Sequence, residues 1–147
     1  MSLVERAIET APSSCDRKGI RHQLVCDRDR KALLGGLLVG GVGWVHRAPV
    51  VILLHADPAA YKAPGELEYM PYLDAGVVVG QVYLAAQAAG LKVCYVNPQV
   101  RDFNREHFAG TFGPGIYCGA IALGWAHPDD AQSGSVELPP LWVLDTS

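Results

Sequence analysis

The chain has 147 residues, of which half are hydrophobic and 18% charged, with a formal net charge of −3. That is long enough for one domain burying roughly two thirds of its unfolded surface, and too apolar for an intrinsically disordered chain. Twelve Lys and Arg residues, scattered among 15 Asp and Glu, leave no basic footprint, which argues against a nucleic-acid partner.

The first segment, Leu3 to Ala11, reads as a helix that stops at Pro12. It lacks a signal-peptide core, so a cytoplasmic protein is expected. "PSSCDRKG" follows, a small-polar loop ahead of a short strand from Arg21 to Cys26. Asp27 or Asp29 then caps a helix running to about Leu38, and Gly40, Gly41 and Gly43 break any regular element. "APVVILLHA", Ala48 to Ala56, is a continuous run of β-branched residues and leucine, the pattern of a strand buried on both faces. Asp57 to Met70 is polar and carries Pro and Gly, so a loop is expected. Asp74 to Ala89 is apolar all round, which predicts a helix buried on nearly every side and ended by Gly90. Leu91 to Asn97 reads as a second buried strand, Arg101 to His107 as a short helix, and Gly115 to Trp125 as a third buried strand. The tail from His127 is polar and proline-bearing. Nothing marks a linker or a repeat, so residues 1–147 are expected to form a single domain.

Several chemistries are excluded or left without support. Ala32 to Val45 spans only 14 residues with five glycines, and Ala75 to Gly90 carries Gln81 and Gln87. Neither suits a membrane span. Cys15, Cys26, Cys94 and Cys118 are far apart and lack zinc spacing; the last three lie in apolar runs and are expected to be buried thiols. His22, His46, His55, His107 and His127 show no ligand spacing, and Glu66 and Glu68 are expected to be solvated. "PSSCD" lacks the glycines of a nucleophile elbow, and "GGVGWVH" fails the dinucleotide pattern. The helix from Asp74 is more informative. Ala75, Gly76, Gly80, Ala85, Ala86, Ala88 and Ala89 admit close approach of another backbone, and so much apolar surface calls for cover on every side. A homodimer would supply it; wrapping within one chain is the other solution.

Taken in order, "APSSCDR", "RAPVVILLHADPAAY", "YLDAGVVVGQVYLAAQAAGLKVCYVN" and "GAIALGW" resemble the FMN-dependent nitroreductase family over roughly Leu3 to Pro128. The resemblance implies an α+β fold (an α/β sandwich), with a central sheet flanked by helices and one helix buried at the centre. It also implies an obligate-looking homodimer, one FMN at each subunit interface, and NAD(P)H-driven reduction of nitro, quinone or similar electron-poor small molecules.

Carried onto this sequence, the resemblance makes Pro12, Ser13, Ser14, Asp16 and Arg17 the loop at the polar edge of the flavin ring. Flavin carbonyls and N–H are costly to bury unpaired, so such a loop must offer partners. Family members carry an Asn two residues after the second Ser; here Asp16 stands there. A carboxylate can accept from the flavin N–H but repels the neighbouring carbonyl. Lys18, Gly19 and Ile20 replace the usual Gln-Pro-Trp. An Asx-turn connector without a ligand is the other reading of the same residues. After the strand Leu91 to Asn97, backbone N–H groups of Asn97, Pro98 and Gln99 would face the reactive edge of the ring. Pro98 has no N–H, so Asn97 or Gln99 would donate. The family's basic phosphate-binding segment precedes the part that "LVERAIETAPSS" matches, and "SVELPPLWVLD" carries no Lys or Arg. Arg17, Lys18 and Arg21 are then the basic groups left to meet a phosphate. The alternative to an oxidoreductase is a flavin-deficient relative acting as an interaction or sequestering protein.

Overall fold

A computed structural model describes residues 2–62 and 64–125. Within them the elements are α1 (Ser2–Thr10), β1 (Ile20–Val25), α2 (Arg28–Leu37), β2 (Val50–Ala56), α3 (Met70–Ala88), β3 (Lys92–Val96), α4 (Arg105–Phe112) and β4 (Ile116–Gly124). The four strands form one sheet in the order β1-β2-β4-β3, every neighbouring pair antiparallel. This is the expected α+β class. The predicted tail from His127 lies outside the described residues.

Both faces of the sheet are covered, which explains its unbroken apolar strands. Successive side chains of a strand point to opposite faces. In β2, Ile52, Leu54 and Ala56 therefore pack with Val4 and Ile8 of α1 and with Ala75, Val78, Val82 and Ala86 of α3. Val51 and Leu53 turn the other way, to Leu34 and Leu37 of α2 and to Phe108 and Phe112 of α4. Two helices on each face thus sandwich the central strands.

Local signals placed most ends correctly. Asp27 is the N-cap of α2, its carboxylate accepting from Arg30 N–H at 2.8 Å. Three expectations on element ends need correction. Asp57 to Met70 holds two single helical turns, Pro58–Ala60 and Pro64–Glu68, and α3 begins at Met70 rather than Asp74. Pro71, in its first turn, has no N–H to lose there, so it starts the helix instead of breaking it. The short helix expected from Arg101 starts at Arg105 and runs on to Phe112, because Phe108 and Phe112, four residues apart, both reach the core.

Burial brings further corrections. β3 is an edge strand with Lys92, Cys94 and Tyr95 exposed, not a buried one. Cys94 and Cys26, the latter just beyond the paired end of β1, are exposed free thiols; only Cys118 is buried as expected. Its thiol is pushed up to about 11, chiefly by burial. The largest correction concerns α3. Asp74, Ala75, Val78, Val82 and Ala86 face the sheet, whereas Leu73, Val77, Tyr83 and Leu84 lie exposed on the outer side. The helix is apolar on both sides, and the described residues cover one.

A bulge in β4 sets the register near its start. Leu54 pairs with Gly119 and His55 with Tyr117, so Cys118 is the extra residue. Gly119 sits at φ 113°, and a Cβ there would come within 2.5 Å of the Tyr95 ring. Tyr95 Oη donates to Cys118 O at 2.8 Å across that gap.

Candidate functional site

The Ser-Ser loop is fixed to the N-terminal turns of α3 by one buried carboxylate. Asp74, 3% exposed, accepts from Ser14 N–H and Ser14 Oγ, both at 2.8 Å, and from Tyr61 Oη at 3.1 Å. Ser14 Oγ also touches Met70 Sδ at 2.7 Å; its single proton goes to the carboxylate, the stronger acceptor. Three donors on one carboxylate are what its burial demands. Burial, with the Asp74 charge beside it, raises the Tyr61 phenol well above its ordinary value, so Tyr61 remains a donor.

Around this anchor the remaining loop residues are largely engaged with one another. Arg17 makes a two-pronged pair with Glu66, Nη1 to Oε2 at 2.7 Å and Nη2 to Oε1 at 3.2 Å, with its guanidinium 5.8 Å from the centre of the Tyr61 ring. That bond to Glu66 raises the Arg17 pKa. Glu66 also accepts from Lys62 N–H at 3.1 Å, which corrects the expectation that it is solvated; Glu68 is exposed as expected. Ser13 Oγ accepts from Lys18 N–H at 2.8 Å, closing the loop on itself. Pro12 and Asp16 are exposed, and Asp16 meets Lys18 Nζ at 3.1 Å. Cys15, Asp16 and Lys18 all take positive φ near 50°, a left-handed conformation that non-glycine residues adopt only when contacts enforce it.

The second predicted segment, Asn97 to Gln99, is exposed and lies past the end of β3. Gln99 N–H already donates to Asn97 O at 2.8 Å, and Gln99 O accepts from Val39 N–H at 3.0 Å. With Pro98 lacking a donor, Asn97 is left as the residue whose N–H would face a ligand. Pro98 and Gln99 share a cavity of about 340 Å³ with Tyr72 of α3, while Ser14 contacts Met70 and Asp74 of the same helix. The start of α3 is therefore bordered by both segments. Among the described residues no hydrogen bond or ion pair joins one segment directly to the other.

The sequence reading missed the groups that hold the loop. Asp74 was legible as the start of an Asp-x-Gly helix but not as the loop's anchor, and Tyr61 and Glu66 sat in a stretch read as a plain polar loop. No group of three or more His, Cys, Asp or Glu side chains among the described residues could hold a metal.

Asp16 is exposed and, although paired with Lys18 Nζ at 3.1 Å, its carboxylate keeps acceptor capacity that suits an N–H on a flavin edge. The basic groups are less available. Arg17 is held by Glu66, Lys18 donates to Ala11 O and pairs with Asp16, and Arg21 lies 3.9 Å from Asp57. The loop thus fits the ring of FMN, and its phosphate donors are not among Arg17, Lys18 and Arg21 as they stand.

Comparison with known proteins bears on the same region. No curated protein matches the chain in sequence. Among solved structures, a candidate nitroreductase from Desulfovibrio desulfuricans, in complex with FMN, superposes with a TM-score of 0.74 at 25% identity, over 95% of this chain and 78% of that one. An FMN-dependent nitroreductase from Clostridium difficile R20291 gives 0.72 at 20% identity, over 92% and 79%. A candidate NAD(P)H:FMN oxidoreductase from Staphylococcus epidermidis gives 0.75 at 16% identity, over 94% and 79%. The sequence model of the Nitroreductase family matches residues 22–125, from β1 to the end of β4. The Ser-Ser loop lies just ahead of that match, but the sheet, α3 and the segment after β3 all fall within it, and the chain belongs to the nitroreductase family.

Proposed function

We propose that this protein is an FMN-dependent NAD(P)H oxidoreductase that reduces nitro, quinone or similar electron-poor small molecules, working as a cytoplasmic homodimer. The observation that carries this reading is the Ser13–Arg17 loop, bolted by buried Asp74 to the start of α3 beside an open apolar helix face. A loop held rigid from behind, with its Asp16 acceptor outward, is preorganised for a ligand rather than shaped by one. The FMN-bound and FMN-dependent neighbours support the cofactor, and the name of the Staphylococcus epidermidis protein supports the reductant.

In this proposal Pro12, Ser13, Ser14, Asp16 and Arg17 make the ring-edge loop, with divided tasks. Ser14 and Arg17 hold the backbone through Asp74 and Glu66, Ser13 closes the turn onto Lys18, and Asp16 accepts from the ring N–H. Across the site, Asn97 donates its N–H, Pro98 shapes the turn, and Gln99 holds Asn97 in place through the 2.8 Å bond to its carbonyl. Bound there, FMN would supply two-electron redox chemistry between a nicotinamide and the substrate. In the proposed dimer the apolar side of α3, once covered, would exclude water, and Asn97 would place an N–H where negative charge develops.

Purified protein incubated with FMN and desalted is the test. A yellow protein with flavin absorbance, oxidising NADH or NADPH only when a nitroaromatic or quinone is present, is expected. A colourless protein after that treatment would overturn the reading.

A further inference from the structure

The basic groups of the Ser-Ser loop are engaged within the fold. Arg17 holds both oxygens of Glu66, at 2.7 and 3.2 Å, and the two side chains are only 13% and 22% exposed. Lys18 Nζ donates to Ala11 O at 2.9 Å and lies 3.1 Å from Asp16. Arg21 is the loosest of the three, 3.9 Å from Asp57 and 69% exposed. Residues 11–21 and 57–74 are tied together by Ser14 on Asp74 and by Asp57 N–H on Gly19 O. Across these two stretches five Asp and Glu stand against four Lys and Arg. The region as a whole does not attract an anion.

A helix N-terminus is the other common anchor for a phosphate. At the start of α3, Pro71 has no N–H, and the N–H groups of Tyr72 and Leu73 already donate to Tyr69 O, both at 3.1 Å. Asp74, in the next turn, sets a carboxylate at the same end. That end is built to hold the Ser14 loop, not an anion.

The groups assigned to the flavin ring are of another kind. Asp16 accepts from the ring N–H and Asn97 donates its own N–H, and neither contact involves the ribityl phosphate. Riboflavin and FMN share the ring and differ by a phosphate of roughly two negative charges. Two charge-assisted hydrogen bonds to that phosphate would favour FMN by about 100-fold or more. One exposed, solvent-screened pair of the Arg21 kind is worth about fivefold at most.

Building on the oxidoreductase reading above, we propose that this site recognises flavin by its ring alone and takes riboflavin about as well as FMN. The phosphate then lies in solvent, and the cofactor's affinity comes from the loop and the segment after β3.

Titration of the 147-residue chain with FMN, and separately with riboflavin, tests this by quenching of flavin fluorescence. The two Kd values should agree within about fivefold. Raising sodium chloride from about 0.05 to about 0.5 M should change both by the same factor, because no charge contact is there to be screened. A preference for FMN beyond about fivefold would overturn the proposal and leave the oxidoreductase reading standing. FMN binding that weakens with salt while riboflavin binding does not would do the same. Binding of neither flavin would overturn both.

Discussion

Asp74 carries more of the site's order than any other residue, because it alone satisfies two loop donors and a buried phenol. Asp74→Ala would leave Ser14 N–H and Tyr61 Oη buried without partners, and a loss of about 1–3 kcal/mol in urea unfolding is expected. Asp74→Asn should lose less, since the amide oxygen still accepts. Asp16 acts in the opposite direction, as a charge set where the ring carbonyl and the reduced ring would repel it. Asp16→Asn should therefore tighten FMN by about 1 kcal/mol, read as a fall in Kd by fluorescence quenching; equal or weaker binding would mean that Asp16 only shapes the turn. His55 gives a pH signature of its own. Burial holds it below its ordinary value of 6.5, so the unfolded chain binds the proton more readily than the folded one. Its contribution is intact above pH 6.5 and is lost as pH falls from there toward the folded pKa. Unfolding curves at pH 8 and pH 5.5 should differ more for the unaltered chain than for His55→Phe, which keeps the ring packing without the titrating nitrogens.

At the scale of elements, α3 poses the sharpest question. Gly76 and Gly80 lie on its outer side, where an added Cβ meets nothing within 4 Å among the described residues. Glycine inside a helix costs roughly 0.5–1 kcal/mol relative to alanine, so in an isolated chain Gly80→Ala should be stabilising by about that amount. Close packing of a second copy against Leu73, Val77 and Leu84 would reverse the sign, because the methyl group would then hold the two backbones apart. Denaturation of Gly80→Ala, together with sedimentation of Gly80→Leu, separates the two cases. Destabilisation and dissociation are expected under the homodimer proposal; a more stable, monomeric Gly80→Ala chain would end it. β3 shows how an element's place changes its reading. Its apolar residues suggested a buried strand, yet the sheet order leaves it at an edge, where Tyr95 crosses to Cys118 O and fills the space above Gly119.

For the molecule as a whole, the three layers follow from a conflict between pattern and pairing. Strands buried on both faces usually belong to parallel sheets, whose crossovers place helices on either side. Here every pairing is antiparallel, and the cover comes from α1 and α3 on one face and α2 and α4 on the other. No helix among the described residues is long and apolar enough to cross a membrane, so the apolar stretches that resembled short spans are absorbed in α2 and its following turn, and in α3. Among the described residues the outer face of α3 is an exposed apolar surface.

The sequence by itself determined what depends on neighbours along the chain. Apolar runs marked β2 and β4, Asp27 marked the start of α2, Pro12 stopped α1, and the ordered set of short motifs identified the family. Each of these is a local signal, set by backbone propensity or side-chain period, and each survives in the folded chain. Only the tertiary structure decided which residues meet across distance. Ser14 reaches Asp74 across 60 positions and Arg17 reaches Glu66 across 49, and nothing in either local stretch encodes the other. Strand order, and with it the exposure of β3 and Cys94, is likewise a property of pairing, as is the bulge that sets His55 opposite Tyr117. Propensity acts over a few residues, whereas burial and hydrogen-bond satisfaction are settled over the whole fold.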